Sequence, residues 1–182
     1  FGLAGWLKSA ATVTVFAVES TPGSGVASVE YRIGDGPFQP YTGSVAIASE
    51  GVTQVTARAT DRNGNVRTST QTVSIDTSAP RTTVGLSGTP GLAGWFTSPV
   101  TVALAGVDNT PGSGVGLVEY SVNDGAFNTY TAPFVVASPG ATRITARSRD
   151  RAGNVQTVPT PAAIMIHASQ PVVGVPGSAG SR

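Results

Sequence analysis

Short apolar runs, broken at close intervals by glycine, proline or asparagine, make up nearly the whole of this chain. Residues 11–18 (ATVTVFAV) and 100–107 (VTVALAGV) are rich in β-branched side chains. In residues 29–33 (VEYRI), Val29, Tyr31 and Ile33 alternate with Glu30 and Arg32. In residues 55–61 (VTARATD), Val55, Ala57 and Ala59 alternate with Thr56, Arg58 and Thr60. Side chains leave a strand on opposite faces in turn, so a period of two predicts half-buried strands of antiparallel sheets, with the first-named residues inward. Between the runs stand TPGSG, GDG or NDG, SEG or SPG, and RNGN or RAGN. They supply glycine or asparagine where a tight reversal requires positive φ. No stretch carries the 3.6-residue period of a helix, and the expected class is all-β.

The pattern is written twice. GLAGW begins at Gly2 and again at Gly91, TPGSGV at Thr21 and Thr110, and TAR at Thr56 and Thr145, an offset of 89 residues each time. That period exceeds a solenoid repeat and suits one small domain copied in tandem. Short strands with regular turns predict a β-sandwich of immunoglobulin-like shape in each copy. The expected domains are 1–77, 78–167 and a tail, 168–182. In the second copy, residues 80–88 (PRTTVGLSG) place Thr82, Val84 and Leu86 on one face and form its opening strand. The first copy has no counterpart, so its sandwich is expected to lack that strand. The tail, IHASQPVVGV from Ile166, matches IDTSAPRTTV from Ile75 in phase: Pro171 falls on Pro80 and Val175 on Val84. It reads as a linker and an opening strand. Two readings follow: an excerpt of a longer repeat protein, or a subunit whose tail fills the vacant edge of the next copy. On the second, Pro171, Val172, Val173 and Val175 are the polymerisation residues, and a heterologous contact that does not close grows into a filament.

The repeated GW…VTV, GSGV…EY, Asp-Gly…Phe…Tyr and DR-GNV, with the linker IDTSAP, resemble the bacterial Ig-like tandem repeats of large secreted and surface proteins, the OmpL47-type repeat in particular. The resemblance covers nearly the whole chain and rests on turn and core positions. It implies an extracellular or cell-surface, multi-copy architecture such as a stalk, filament, adhesin or spacer beside catalytic modules.

Composition narrows the function. Charged residues are 12%, the net charge is +1 and the basic residues are scattered, which gives no electrostatic support for nucleic-acid binding. No apolar run approaches a membrane span. There is no cysteine, which excludes disulfides and cysteine metal sites. His167 is the single histidine and lies in the second linker, no carboxylate pair clusters within either copy, and PGSG lacks the ending of a phosphate loop. The chain reads as no enzyme and needs no cofactor.

One candidate for chemistry remains, a calcium site. Residues 61–65 (DRNGN) look like half a calcium loop, but residues 150–154 (DRAGN) carry Ala152 at the middle ligand position. The simpler role is structural, with the aspartate capping turn amides. The metal alternative gathers Asp108, Asp150 and Asn154, with Asp76 from the linker, around one ion at the pole where the linker enters. Trp6, Trp95 and the pairs Phe38/Tyr41 and Phe127/Tyr130 are expected to pack across the mouth of each sandwich rather than form a sugar-stacking platform. Glu30 with Arg58 and Glu119 with Arg147 are expected as outward cross-strand pairs. The expected function is a filament or stalk whose partners are copies of itself, head to tail. The alternative is an accessory binding or spacer module of a large secreted enzyme or adhesin, with a surface polysaccharide as its ligand.

Overall fold

The computed structural model describes residues 4–19, 21–167 and 173. Among them every regular element is a strand. The first copy contributes β1 (Ala11–Val13), β2 (Val26–Ile33), β3 (Gln39–Pro40), β4 (Val45–Ile47), β5 (Gly51–Asp61) and β6 (Val66–Ile75). The second contributes β7 (Arg81–Ser87), β8 (Trp95–Phe96), β9 (Val100–Val107), β10 (Val115–Val122), β11 (Asn128–Thr129), β12 (Phe134–Val136), β13 (Gly140–Asp150) and β14 (Thr160–Ile166). In the second copy the sheet β11-β10-β13-β14-β8 faces the sheet β12-β9-β7; in the first, β3-β2-β5-β6 faces only β1-β4. Both are Ig-like sandwiches.

The core of the second sandwich is formed by Val100, Val102, Leu104, Ile144, Ile164 and Ile166, all delivered by the inward face of the period-two pattern. Val84 and Leu86 of β7 pack against it. The first core is smaller: Val45, Ile47, Val55, Val73 and Ile75, with Tyr31, Val13 and Leu7 at its margin. Inward placement of Val55 holds, as does that of Tyr31. Ile33 differs, being exposed at the end of β2, as its counterpart Val122 is at the end of β10.

The difference between the cores follows from one absent neighbour. β9 pairs with β7 along its whole length, Arg81 to Val107 through Ser87 to Thr101, and with β12 at its start. β1 pairs only with β4, Ala11 to Ile47 through Val13 to Val45. Among the described residues no strand lies on the side of β1 where β7 lies beside β9. Residues 14–18 therefore leave the ladder, although their sequence is as strand-like as that of β9. A strand without a partner has no ladder hydrogen bonds to offset its ordering cost, which is why β1 is short. Of the proposed donor residues, Pro171, Val172 and Val175 lie outside the described residues, and Val173 is 85% exposed.

Candidate functional site

The unpartnered edge of the first sandwich is a groove. Two adjoining hollows of about 230 and 250 Å³ run along it, lined by Val15, Phe16, Val18, Ala57, Ala59 and Arg67 among others. Phe16 and Val18 are 86% and 87% exposed. Residues 66–72 of β6 are exposed on both faces, so the inner surface that a facing strand would cover is open. The Val15 amide donates to the Tyr41 hydroxyl at 3.1 Å, a side chain serving a group in the uncovered stretch. Apolar surface next to a free strand edge is a seat for strand addition.

The second sandwich has that seat filled. Val84 and Leu86 cover the core, and Thr82 ties β7 to the opposite sheet. The Thr82 hydroxyl lies 2.8 Å from that of Ser148 and donates to Gln156 Oε1 at 2.7 Å, while the Thr160 hydroxyl donates to the Thr82 carbonyl at 2.8 Å. Thr82 and Ser148 are both buried; the Ser148 hydroxyl has Thr82 as its partner, and Thr82 has both Ser148 and Gln156. Sequence reasoning placed Thr82 on one face with Val84 and Leu86 but missed this polar knot, because threonine and serine in strands most often face water.

A second constellation sits where β6 hands over to the second sandwich. Leu7 grips the end of β6: its amide donates to the Ser74 carbonyl at 2.8 Å and its carbonyl accepts from the Asp76 amide at 2.9 Å. Asp76, 0% exposed, then reaches into the second sandwich, where Oδ2 accepts from the Ser113 amide at 2.7 Å and its carbonyl accepts from Asn154 Nδ2 at 2.8 Å. Asp150, 1% exposed, accepts on Oδ1 from the amides of Gly153 and Asn154 at 2.6 and 2.7 Å, and on Oδ2 from Asn154 Nδ2 at 2.7 Å. Gly51 closes the joint from the first sandwich: at φ +96° it lies against the Pro111 ring, and a Cβ there would come within 2.9 Å of it.

The structure thus brings all four sequence-predicted metal candidates together, but in two roles. One oxygen each from Asp76, Asp108 and Asp150 lies within 4.8 Å of the others. Asn154 instead uses its amide nitrogen to bind Asp150 to the linker. Both oxygens of Asp108 expose under 1 Å² and accept no hydrogen bond. Burial first, then the charge of Asp76 and, less, of Asp150, pushes the Asp108 carboxyl above the ordinary range; the amides of Asn109 and Gly114 face it and offset part of this without reaching hydrogen-bond geometry. The capping role expected of the turn aspartates is also present. Asp61 accepts from the Asn63 and Asn65 amides at 2.9 and 2.8 Å and from the Asn65 side chain at 2.7 Å, which holds its carboxyl below the usual range. Ser113, which links Asp76 to the Ala152 amide, was not singled out from the sequence and has no signal there beyond its repeat in Ser24.

The aromatic residues divide. Tyr120 stacks on Phe134 at 4.4 Å between centroids and meets Tyr130 edge-on; Tyr31 meets Tyr41 likewise. Phe38 and Phe127 depart from the expected packing across the mouth. They lie under the guanidinium groups of Arg58 and Arg147, 4.0 and 3.9 Å from ring centre to Cζ, and a guanidinium over an aromatic face is attracted by its quadrupole. Those arginines make the expected cross-strand pairs, Arg58 to Glu30 at 2.7 Å and Arg147 to Glu119 at 3.0 Å. Each pair is partly exposed and worth under about 1 kcal/mol.

No family model matches the chain, and no curated protein does. Solved structures do. Fibronectin(III)-like modules of Clostridium thermocellum CbhA align over 88% of this chain and 86% of theirs, at 16% identity and a TM-score of 0.37. SGBP-B of the Bacteroides ovatus mixed-linkage glucan utilization locus, solved with a mixed-linkage heptasaccharide, aligns over 89% of this chain and 65% of its own, at 10% identity and a TM-score of 0.28. At such scores neither likeness bears on what this chain does.

Proposed function

We propose that this chain is an extracellular structural subunit that assembles head to tail into a surface filament or stalk, residues 171–182 of one copy completing the first sandwich of the next. The observation that carries this reading is the open groove beside residues 15–18, which correspond in the repeat to the part of β9 that β7 pairs with in the second sandwich.

The chemistry of that groove fits the tail better than it would fit a copy of β7. In β7 the inward Thr82 faces Ser148. In the first sandwich the position of Ser148 is held by Ala59, and in the tail the position of Thr82 is held by Val173. A hydroxyl pair is exchanged for an apolar pair, on both sides at once. The position of Gly106, which β7 opposes through Thr82, is held by Ala17, and Val175 falls on the core-packing Val84. Pro176 follows, which would end such a ladder and is tolerated at a sheet edge.

Burying Val173 and Val175 contributes about 1.5–3 kcal/mol each. Ordering the backbone costs roughly 1–2 kcal/mol per residue, so ladder hydrogen bonds and contacts at the joint have to supply the balance. The joint after Ile75, tied by Leu7, Asp76 and Ser113, is the pattern for such contacts. The resemblance to secreted tandem repeats agrees with this mechanical role, and the reading assigns no catalytic residue. The alternative, a sugar-binding accessory module, calls for a row of exposed aromatics. Among the described residues Phe16 is the single exposed aromatic, and it borders the groove.

The test is sedimentation velocity on the full chain and on a chain ending at His167, with electron microscopy of the concentrated full chain. The full chain is expected to form concentration-dependent head-to-tail oligomers with an axial repeat near two sandwich lengths, and the shortened chain to stay monomeric. A full chain that is monomeric at high concentration overturns the proposal.

A further inference from the structure

We propose that Asp76, Asp108 and Asp150 bind one calcium ion, which clamps the linker after the first sandwich to the loops of the second. This inference is independent of strand donation. The three carboxylates converge within 4.8 Å, and two of them are fully buried. Buried carboxylates are ordinarily matched by a cation or hydrogen-bond donors. Asp76 and Asp150 have donors, but Asp108 has none, although both its oxygens are shielded from water. Among the described residues no arginine or lysine forms an ion pair with any of the three. Lys8, the single lysine of the sequence, donates to the Gly153 carbonyl at 3.1 Å. Two lone carboxylate oxygens facing two further carboxylates form a cluster lacking positive charge at its centre.

The donors name the class of cation. All are hard carboxylate oxygens with no histidine or sulfur, which favours calcium over the transition metals. A hollow of about 420 Å³ bordered by Trp6, Gly51, Asp108 and Pro111 lies beside the cluster. The first sandwich provides an internal control. Glu19 stands at the position of Asp108 and Asp61 at that of Asp150, but Glu19 Oε1 accepts from the Ser24 amide at 3.1 Å, the role Asp76 plays toward Ser113. Among the described residues no third carboxylate joins that pair, so one ion per chain is expected.

The experiment is calcium chloride titrated into the chelator-treated full chain at neutral pH, read by calorimetry and thermal unfolding, with terbium luminescence excited through Trp6, which borders the same hollow. One ion per chain is expected, with an unfolding midpoint about 10 °C or more higher at a hundredfold excess over Kd. Asp108→Asn is expected to weaken binding at least tenfold while melting no lower than the parent in chelator, and Asp61→Asn is expected to bind as the parent does. If Asp108→Asn does not fold, displacement of terbium by calcium on the parent chain carries the test. Absence of calcium heat and of any midpoint shift at about 5 mM, equal binding by Asp108→Asn, two ions per chain, or an equal response to magnesium overturns the assignment.

Discussion

The exchange of Thr82 and Ser148 for Val173 and Ala59 can be tested as a double-mutant cycle. In the second sandwich the two hydroxyls meet at 2.8 Å, and Thr82 and Ser148 are 5% and 1% exposed. The register of β7 on β9 sets Thr82 opposite Gly106, and on the proposed strand donation the same register would set Val173 of a donor opposite Ala17 of its acceptor, beside Ala59. Ala59→Ser would bury a hydroxyl against a valine methyl, and Val173→Thr would bury one against an alanine. Leaving a buried hydroxyl without its partner costs about 1–3 kcal/mol, so each single substitution should weaken association roughly fivefold to a hundredfold. The double variant restores the pair seen in the second sandwich and should recover about 1–2 kcal/mol relative to the sum of the singles. Sedimentation across a concentration series, with all four chains in one buffer, gives the association constants. Singles that associate like the parent, or a double that is merely additive, would refute the placement of Val173 against Ala59.

Two further outcomes follow from the same geometry. Gly106→Ala in the second sandwich would set a Cβ 2.7 Å from the Ser148 hydroxyl and 2.9 Å from a Val115 methyl, and should lower the stability of that sandwich by about 1–3 kcal/mol in chemical denaturation; Gly106→Ala combined with Ser148→Ala, the pair the first sandwich carries as Ala17 and Ala59, should recover part of it. In calcium-free buffer the folded chain holds the Asp108 proton more tightly than the unfolded chain does. The contribution of this group to stability is therefore full at pH below the ordinary carboxylate range and is lost as pH rises from there through the raised folded value; thermal unfolding should show that slope, and Asp108→Asn should flatten it.

Much of the fold was legible because it depends on local periodicity. Val55, Tyr31, Val100 and Val102 fall inward as alternation requires, and the glycine-bearing turns reverse where the sequence places them. The convergence of Asp76, Asp108 and Asp150 was legible because sandwich topology brings the linker and two loops to one pole. What escaped depends on neighbours rather than on the run itself. Residues 14–18 carry the same β-branched character as β9, yet leave the ladder because pairing is a property of two strands. Phe38 and Phe127 look like core residues, but Arg58 and Arg147 cover them outside the core, a contact set by cross-strand register. Asn154 looks like an oxygen ligand, yet its amide nitrogen is the part the joint uses.

The most direct measurement of strand donation is a disulfide between separate chains. The protein has no cysteine, so Val173→Cys in one chain and Ala17→Cys in another introduce the only thiols. Mixed and oxidised, the two variants are expected to form a cross-linked pair containing one chain of each, in a yield that neither variant reaches alone. Folded variants that remain uncross-linked in the mixture, or that couple no better together than apart, would contradict the account.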